Sequence, residues 1–323
     1  MLDTYENYIG KIIENERTRR GLSVNDVCNG ICSVAACSKI ERGECAGGIH
    51  VLRALCQRLG INSDRCGTYL PQAEYDEMMD RLYILEYIKD GKIDRAEERL
   101  AYYEKTYKKN PLNSQFVMFM RGRLAELKLN NTKAFEYYEN AVQQTMPWYA
   151  DRQNISCLTI YEAYMILGVA RIKAKLHYET AAYNLYRLLL NYCTNSNIQK
   201  WILVCIYPKA ICEMIDIIGI DKMGIMKVKD MLVHCENALN VLIDTSRLHY
   251  IRPILRNIIS FKSRLGNIDD NINDYEELLE AIEKLFDKFG HERELFEWYP
   301  YYVDCEFYCV NELIAERRCM IQI

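Results

Sequence analysis

Proline and glycine are scarce, at 6 and 15 of 323 residues. A sheet protein of this length needs more turn residues and more Val and Thr, so the composition favours helices. Nor does any segment reach the roughly 18 unbroken apolar residues that a membrane-crossing helix requires. The longest candidate, Trp201 to Ile220, is interrupted by Pro208, Lys209, Glu213 and Asp216. The opening MLDTYENYIG has neither a basic start nor an apolar signal core. A soluble, cytoplasmic chain with no membrane partner is expected.

Signatures of catalysis are missing too. Gly47-Gly48 lacks the Lys-Ser/Thr and the preceding strand of a phosphate loop. There is no H-E-x-x-H and no G-x-S-x-G. The five histidines, His50, His177, His234, His249 and His291, are scattered without metal or triad spacing. Cysteine is plentiful, at 14 residues, but a disulfide framework belongs to small secreted domains. Cys28-x3-Cys32-x4-Cys37 lacks zinc-ligand spacing, and with Cys56 these thiols fall among apolar helix positions, where they act as small hydrophobes. No enzyme, metal site or cofactor is expected.

What is present is helical texture in two styles. Residues 1–70 carry nine Lys/Arg against eight Asp/Glu, and the remainder 32 against 37. The first style, from about Asn7 to Leu70, predicts short helices. One ends at Gly21. A second starts at Ser23, whose capping box is closed by Asp26. Ser33 is a good cap for a third, Val34 to Glu41, closed by Gly43. A fourth runs from Ile49 to Leu59. Two short helices around a Gly-containing turn match a helix-turn-helix, with Cys37 and Ile40 inward. Ser33, Val34, Ala35, Ala36, Ser38 and Lys39 are then the groove-facing set, with Arg17, Arg19, Arg20 and Arg42 toward phosphates.

After Pro71 the helices lengthen. A breaker followed by a polar start and an amphipathic run recurs at Asp90-Gly91, Asn130-Asn131, His177-Tyr178, Gly219 to Asp221 and Gly266-Asn267, roughly 40–47 residues apart. That spacing lies in the helical-solenoid range. It predicts about five hairpins and a C-terminal helix from Pro300 to Arg318. Together the two styles give an all-α chain: an N-terminal helix-turn-helix bundle at 1–70, then a tetratricopeptide-like, right-handed solenoid at 71–323.

The segment Gly30-Ile31-Cys32-Ser33-Val34-Ala35-Ala36-Cys37-Ser38-Lys39-Ile40-Glu41-Arg42-Gly43 resembles the Xre/Cro-like helix-turn-helix. More narrowly, it is similar to the peptide-responsive Gram-positive regulators of the Rgg, PlcR, PrgX and NprR group. The familiar phrase G-I-C-S-x-x-x-L-S-K-I-E-x-G is matched apart from Cys37 in place of Leu. Ile9-Gly10 and Arg58-Leu59-Gly60-Ile61 agree as well, and that family's second part is a tetratricopeptide-like array. The resemblance implies a homodimeric transcriptional regulator of the quorum-sensing type that binds double-stranded operator DNA. A short signalling peptide in the concave face of the repeats would switch it. The chain departs from the pattern at Val24, Val34, Ala35 and Ala36, where related domains often place hydrogen-bonding side chains. Ser33, Ser38 and Lys39 are the donors left, while the apolar groups can still meet thymine methyls.

For the ligand, Tyr161, Tyr164, Gly168, Arg171 and Lys175 share one helical face, apart from the packing face of Ala163, Leu167, Ala170 and Ala174. Arg252, Arg256 and Ser260 form a second polar line. Tyr207-Pro208-Lys209 interrupts an apolar helix and marks a kink lining the same trough. These cations and tyrosines suit an extended peptide or its carboxylate. Val310 to Arg318 echoes Ile9 to Arg17 and fits either a helix-turn-helix remnant or a capping helix. The competing functional reading is a protein-interaction adaptor whose head only dimerises.

Overall fold

The computed structural model describes residues 3–45, 47–61, 72–107, 109–149, 155–194, 198, 200–245, 250–266 and 272–289, with backbone alone for 3–8, 200, 201, 288 and 289. No strand occurs among them. The expected C-terminal helix from Pro300, the Val310 to Arg318 echo and the 70/71 boundary lie outside these residues. The described residues form two compact units, one running up to Val117 and the other from Met118 to the end of the last described helix, dividing the chain within a helix.

The first unit opens with α1 (Asp3–Arg19), α2 (Val24–Cys28), α3 (Val34–Glu41) and α4 (Ile49–Arg58). Ser23 caps α2, accepting from Asp26 N while Asp26 returns the bond, as the sequence predicts. Ser33 caps α3 by accepting from Ala36 N at 3.1 Å. Gly21, Gly30 and Gly43 take left-handed φ in the turns between these helices. Ile9, Ile13, Val27, Cys28, Cys37, Ile40, Leu52, Leu55 and Leu59 form one core. Gly10 lets α1 meet α3: a side chain there would strike the Ile40 carbonyl oxygen. The rest of this unit is α5 (Gln72–Lys89), α6 (Ile93–Thr106) and the start of α7 (Pro111–Leu127). Glu74 accepts from Ile49 N at 3.0 Å, tying α5 to the start of α4.

In the second unit the remainder of α7 is followed by α8 (Asn131–Thr145), α9 (Ile160–Lys175), α10 (Glu179–Cys193), α11 (Lys200–Ile218), α12 (Ile225–Asp244), α13 (Ile251–Leu265) and α14 (Ile272–Phe289). Each helix from α8 onward packs on the next, and α11 also touches α9 and α13. That is the pattern of stacked helical hairpins. α11 runs on through Pro208.

The five hairpin turns stand where the breakers predict them, and each contains a left-handed residue: Gly91, Leu129, His177, Gly219 and Gly266. The first three close with the long-range bond that ends a helix at a left-handed residue. These bonds run from Lys92 N to Tyr87 O, Asn130 N to Ala125 O, and Tyr178 N to Lys173 O, at 2.8, 2.9 and 2.8 Å. Two of these turns use a non-glycine residue in that conformation.

Candidate nucleic-acid interface and ligand face

The helix-turn-helix geometry leaves one edge of α3 open. Cys37 and Ile40 are buried, while Ser33, Val34, Ala35 and Lys39 are exposed and Ala36 and Ser38 are half-buried. Val34 is 47% exposed, a large value for an apolar side chain on a short helix. Ser33 spends its oxygen lone pair on the cap and keeps a hydroxyl proton to donate. Lys39 supplies a cation one turn further along.

The arginines divide by burial. Arg17 is placed elsewhere than the sequence suggests. Its Nε donates to Glu41 Oε1 at 2.6 Å, its Nη2 to Glu41 Oε2 at 3.0 Å and its Nη1 to the Leu22 carbonyl at 2.9 Å. The Arg17 side chain is 15% exposed and that of Glu41 6%. This bidentate pair clamps α1 to α3 and serves the fold rather than a phosphate. Arg20 is also largely covered and bonds Glu16 at 2.7 Å. Arg19 pairs with Glu16 at 2.6 Å and Arg42 with Glu44 at 2.6 Å, both arginines well exposed. Solvent screens exposed pairs of this kind and leaves them weak, so a phosphate can displace the carboxylate readily. Arg19, Arg42 and Lys39 are therefore the accessible cations of the predicted set.

Sequence reasoning left the roles of two supporting residues unassigned. Arg58 is buried and donates to the carbonyls of Val27 and Asn29 at 3.0 and 2.7 Å, closing the end of α2. Its position on the inner side of an apolar helix was the available signal. Glu41 sits within the motif, but nothing local marks it as the partner of Arg17.

In the second unit the expected ligand face is occupied by the chain itself. Arg171 donates to Glu126 at 2.8 and 3.1 Å and to Glu213 at 2.9 Å. Lys175 bonds Glu126 at 2.9 Å and is 42% exposed. Burial would raise the Glu126 carboxyl, but Arg171, Arg123 and Lys175 outweigh it and hold it at about 2. The Tyr138 ring fills the gap offered by Gly168, lying against Gly122 as well, and its hydroxyl donates to Glu126 at 2.8 Å. Tyr164 and Lys209 are buried rather than presented to a ligand. Tyr161 is half-buried, edge-on to Phe119. Arg252 stacks on Phe286 at 4.5 Å and Arg256 pairs with Glu283 at 2.6 Å, so they form no free cationic line. Tyr207 donates to or accepts from His234 Nδ1 at 2.7 Å, linking α11 to α12.

No cluster of His, Cys, Asp and Glu suited to a metal ion occurs among the described residues. No described helix is long and apolar enough to cross a membrane. No family model and no curated protein matches the chain. Among solved structures it is similar to the crystal structure of Bacillus thuringiensis PlcR in complex with the peptide PapR7 and DNA, at 14% identity and a TM-score of 0.49, over 87% of this chain and 95% of that one.

Proposed function

We propose that this chain is a DNA-binding transcriptional regulator of the quorum-sensing type, working as a cytoplasmic homodimer and switched by a short peptide bound to its repeats. One observation carries the DNA half: the N-terminal edge of α3 is solvent-facing while its other face is locked into the head. A helix so mounted fits the major groove, with Ser33, Val34, Ala35, Ala36, Ser38 and Lys39 toward base edges and Arg19 and Arg42 toward phosphates. The peptide half rests on the face of α9 that carries Tyr161, Arg171 and Lys175. There the peptide's terminal carboxylate would compete with Glu126 for Lys175, the more exposed cation.

Fluorescence anisotropy with duplex DNA from the gene's own promoter tests the reading at two salt concentrations. Binding should favour that duplex over a scrambled one and weaken steeply as salt rises. Lys39→Ala should cost about 1–3 kcal/mol of affinity. Equally feeble binding to both duplexes would instead support the adaptor reading, which the exposed apolar Val34 and Ala35 favour. A peptide encoded beside the gene should change duplex affinity, and Lys175→Ala should abolish that change.

A further inference from the structure

We propose that Cys32 is a peroxide-reactive thiol and Cys37 its resolving partner, so that the turn entering α3 is a site of reversible disulfide formation.

Ser33 is the cap of α3, so Cys32 occupies the position just before the cap and Cys37 the fourth helical position. Side chains at these two places meet across the first turn and fix the angle at which the chain enters a helix. Here both are thiols, and Cys32 packs on the core that contains Cys28 and Cys37. The Cys32 amide bonds the Cys28 carbonyl at 3.0 Å and the Cys37 amide the Ser33 carbonyl at 2.9 Å, so both cysteines are held on ordered backbone.

The three thiols have unequal surroundings. Cys28 and Cys37 are buried, whereas Cys32 is only half-buried. The neighbouring Cys37 thiol and the positive potential of the buried Arg58 guanidinium, working against the cost of burial, draw the Cys32 thiol below its ordinary pKa. The neighbouring Cys32 thiol, with burial, pushes Cys37 far up. Burial pushes Cys28 up to about 11. A thiol whose ionisation is favoured, that is partly exposed and that packs in one cluster with a second thiol combines the three properties of a sensitive cysteine.

The oxidant is hydrogen peroxide. The Cys32 thiolate sulfur attacks one peroxide oxygen, the O–O bond breaks, and the leaving hydroxide takes up a proton to become water. Cys32 is left as a sulfenic acid. The Cys37 sulfur then attacks the Cys32 sulfur; the S–S bond forms, the S–OH bond breaks, and the hydroxyl departs as water with the Cys37 proton. One peroxide is reduced by two electrons and two thiols become one disulfide. The step is independent of whether α3 binds DNA.

The full chain treated with hydrogen peroxide, alkylated, digested and mapped by mass spectrometry tests this. A Cys32–Cys37 linked peptide should appear, vanish on addition of dithiothreitol, and form before the exposed Cys45 is consumed. Cys32→Ser, at a half-buried position, should eliminate the linked peptide and leave Cys37 reduced. The proposal is overturned if Cys32 is still alkylatable once half of Cys45 has reacted. It is equally overturned if Cys32 is found bonded to any other cysteine, or if the Cys32→Ser chain oxidises Cys37 as fast as the native one.

Discussion

Arg17 and Glu41 face each other through two hydrogen bonds, Nε to Oε1 at 2.6 Å and Nη2 to Oε2 at 3.0 Å, and so join the first helix of the head to the end of α3. Both side chains are mostly withdrawn from solvent. Removing one leaves the other buried without its counter-charge, a far larger loss than the pair's own attraction.

Arg17→Ala is accordingly expected to destabilise the head by about 3 kcal/mol. Lys39→Ala, at an exposed position, should shift stability by less than about 0.5 kcal/mol. Urea denaturation of both variants separates the two effects. Comparable midpoints would remove Arg17 from the clamp.

Gly10→Ala should also destabilise. In an exposed helix the change would gain about 1 kcal/mol from propensity. Here the new methyl meets the Ile40 carbonyl oxygen, which is backbone and cannot rotate away. Overpacking of that kind costs about 1–3 kcal/mol, so the sign reverses. A thermal melt of the variant that matched or exceeded the native one would show that α1 and α3 sit further apart than described.

Leu129→Gly should stabilise the second unit by about 1 kcal/mol through relief of a left-handed backbone. Leu129 holds φ at 58° with 84% of its surface exposed, so the change gives up no packing in exchange. A rise in melting temperature checks this, and a fall would mean the exposed leucine has a packing partner.

Acid should weaken the first unit in two stages. Burial, reinforced by the positive charges of Arg81 and Arg53, lowers His50 from 6.5 to about 4. The unfolded chain therefore takes up a proton that the folded one refuses as pH falls from about 6.5 to 4, and stability drops over that window. Glu77 continues the loss from 4.5 downward. Burial would raise it, but the adjacent His50, the bond from the Tyr103 hydroxyl and the charge of Arg81 hold it at about 2. His50→Gln should flatten the upper stage and also shrink the lower one, since Glu77 loses a neighbour that holds its carboxyl down. An unchanged slope between pH 6.5 and 4.5 would exclude His50 as its source.

Local chemistry made much of the fold legible. Ser23, Asp26 and Ser33 announced their helix starts because capping is a short-range hydrogen-bonding problem that the sequence states directly. Breakers at Gly91, Gly219 and Gly266 did the same for three hairpin turns. Asn130-Asn131 and His177-Tyr178 marked the other two turns, but nothing local showed that Leu129 and His177 would take the left-handed conformation there. Tyr103, Tyr138 and Tyr186 are buried with hydroxyls donating to Glu77, Glu126 and Glu213 at 2.7, 2.8 and 2.8 Å, which no local pattern announces.

The ligand face was harder to foresee, since helical spacing shows which residues share a side but not what a neighbouring hairpin lays against it. Arg171 and Lys175 do share a face, yet Glu126 stands 45 and 49 positions away from them. Those separations fall close to the repeat length, and that register was the one sequence signal that would have paired them. Arg17 was misplaced for a similar reason, because its partner lies 24 residues distant with no periodicity to connect them.

The line Glu126, Arg171, Glu213 crosses three successive hairpins with alternating sign. Deleting the middle hairpin would bring two carboxylates together with no guanidinium between them. Duplicating it would set guanidinium against guanidinium. The units of this array are consequently not interchangeable beads. Their order is fixed by electrostatics, and the chain can neither lose nor copy its α9–α10 segment without rewriting charges on both flanks.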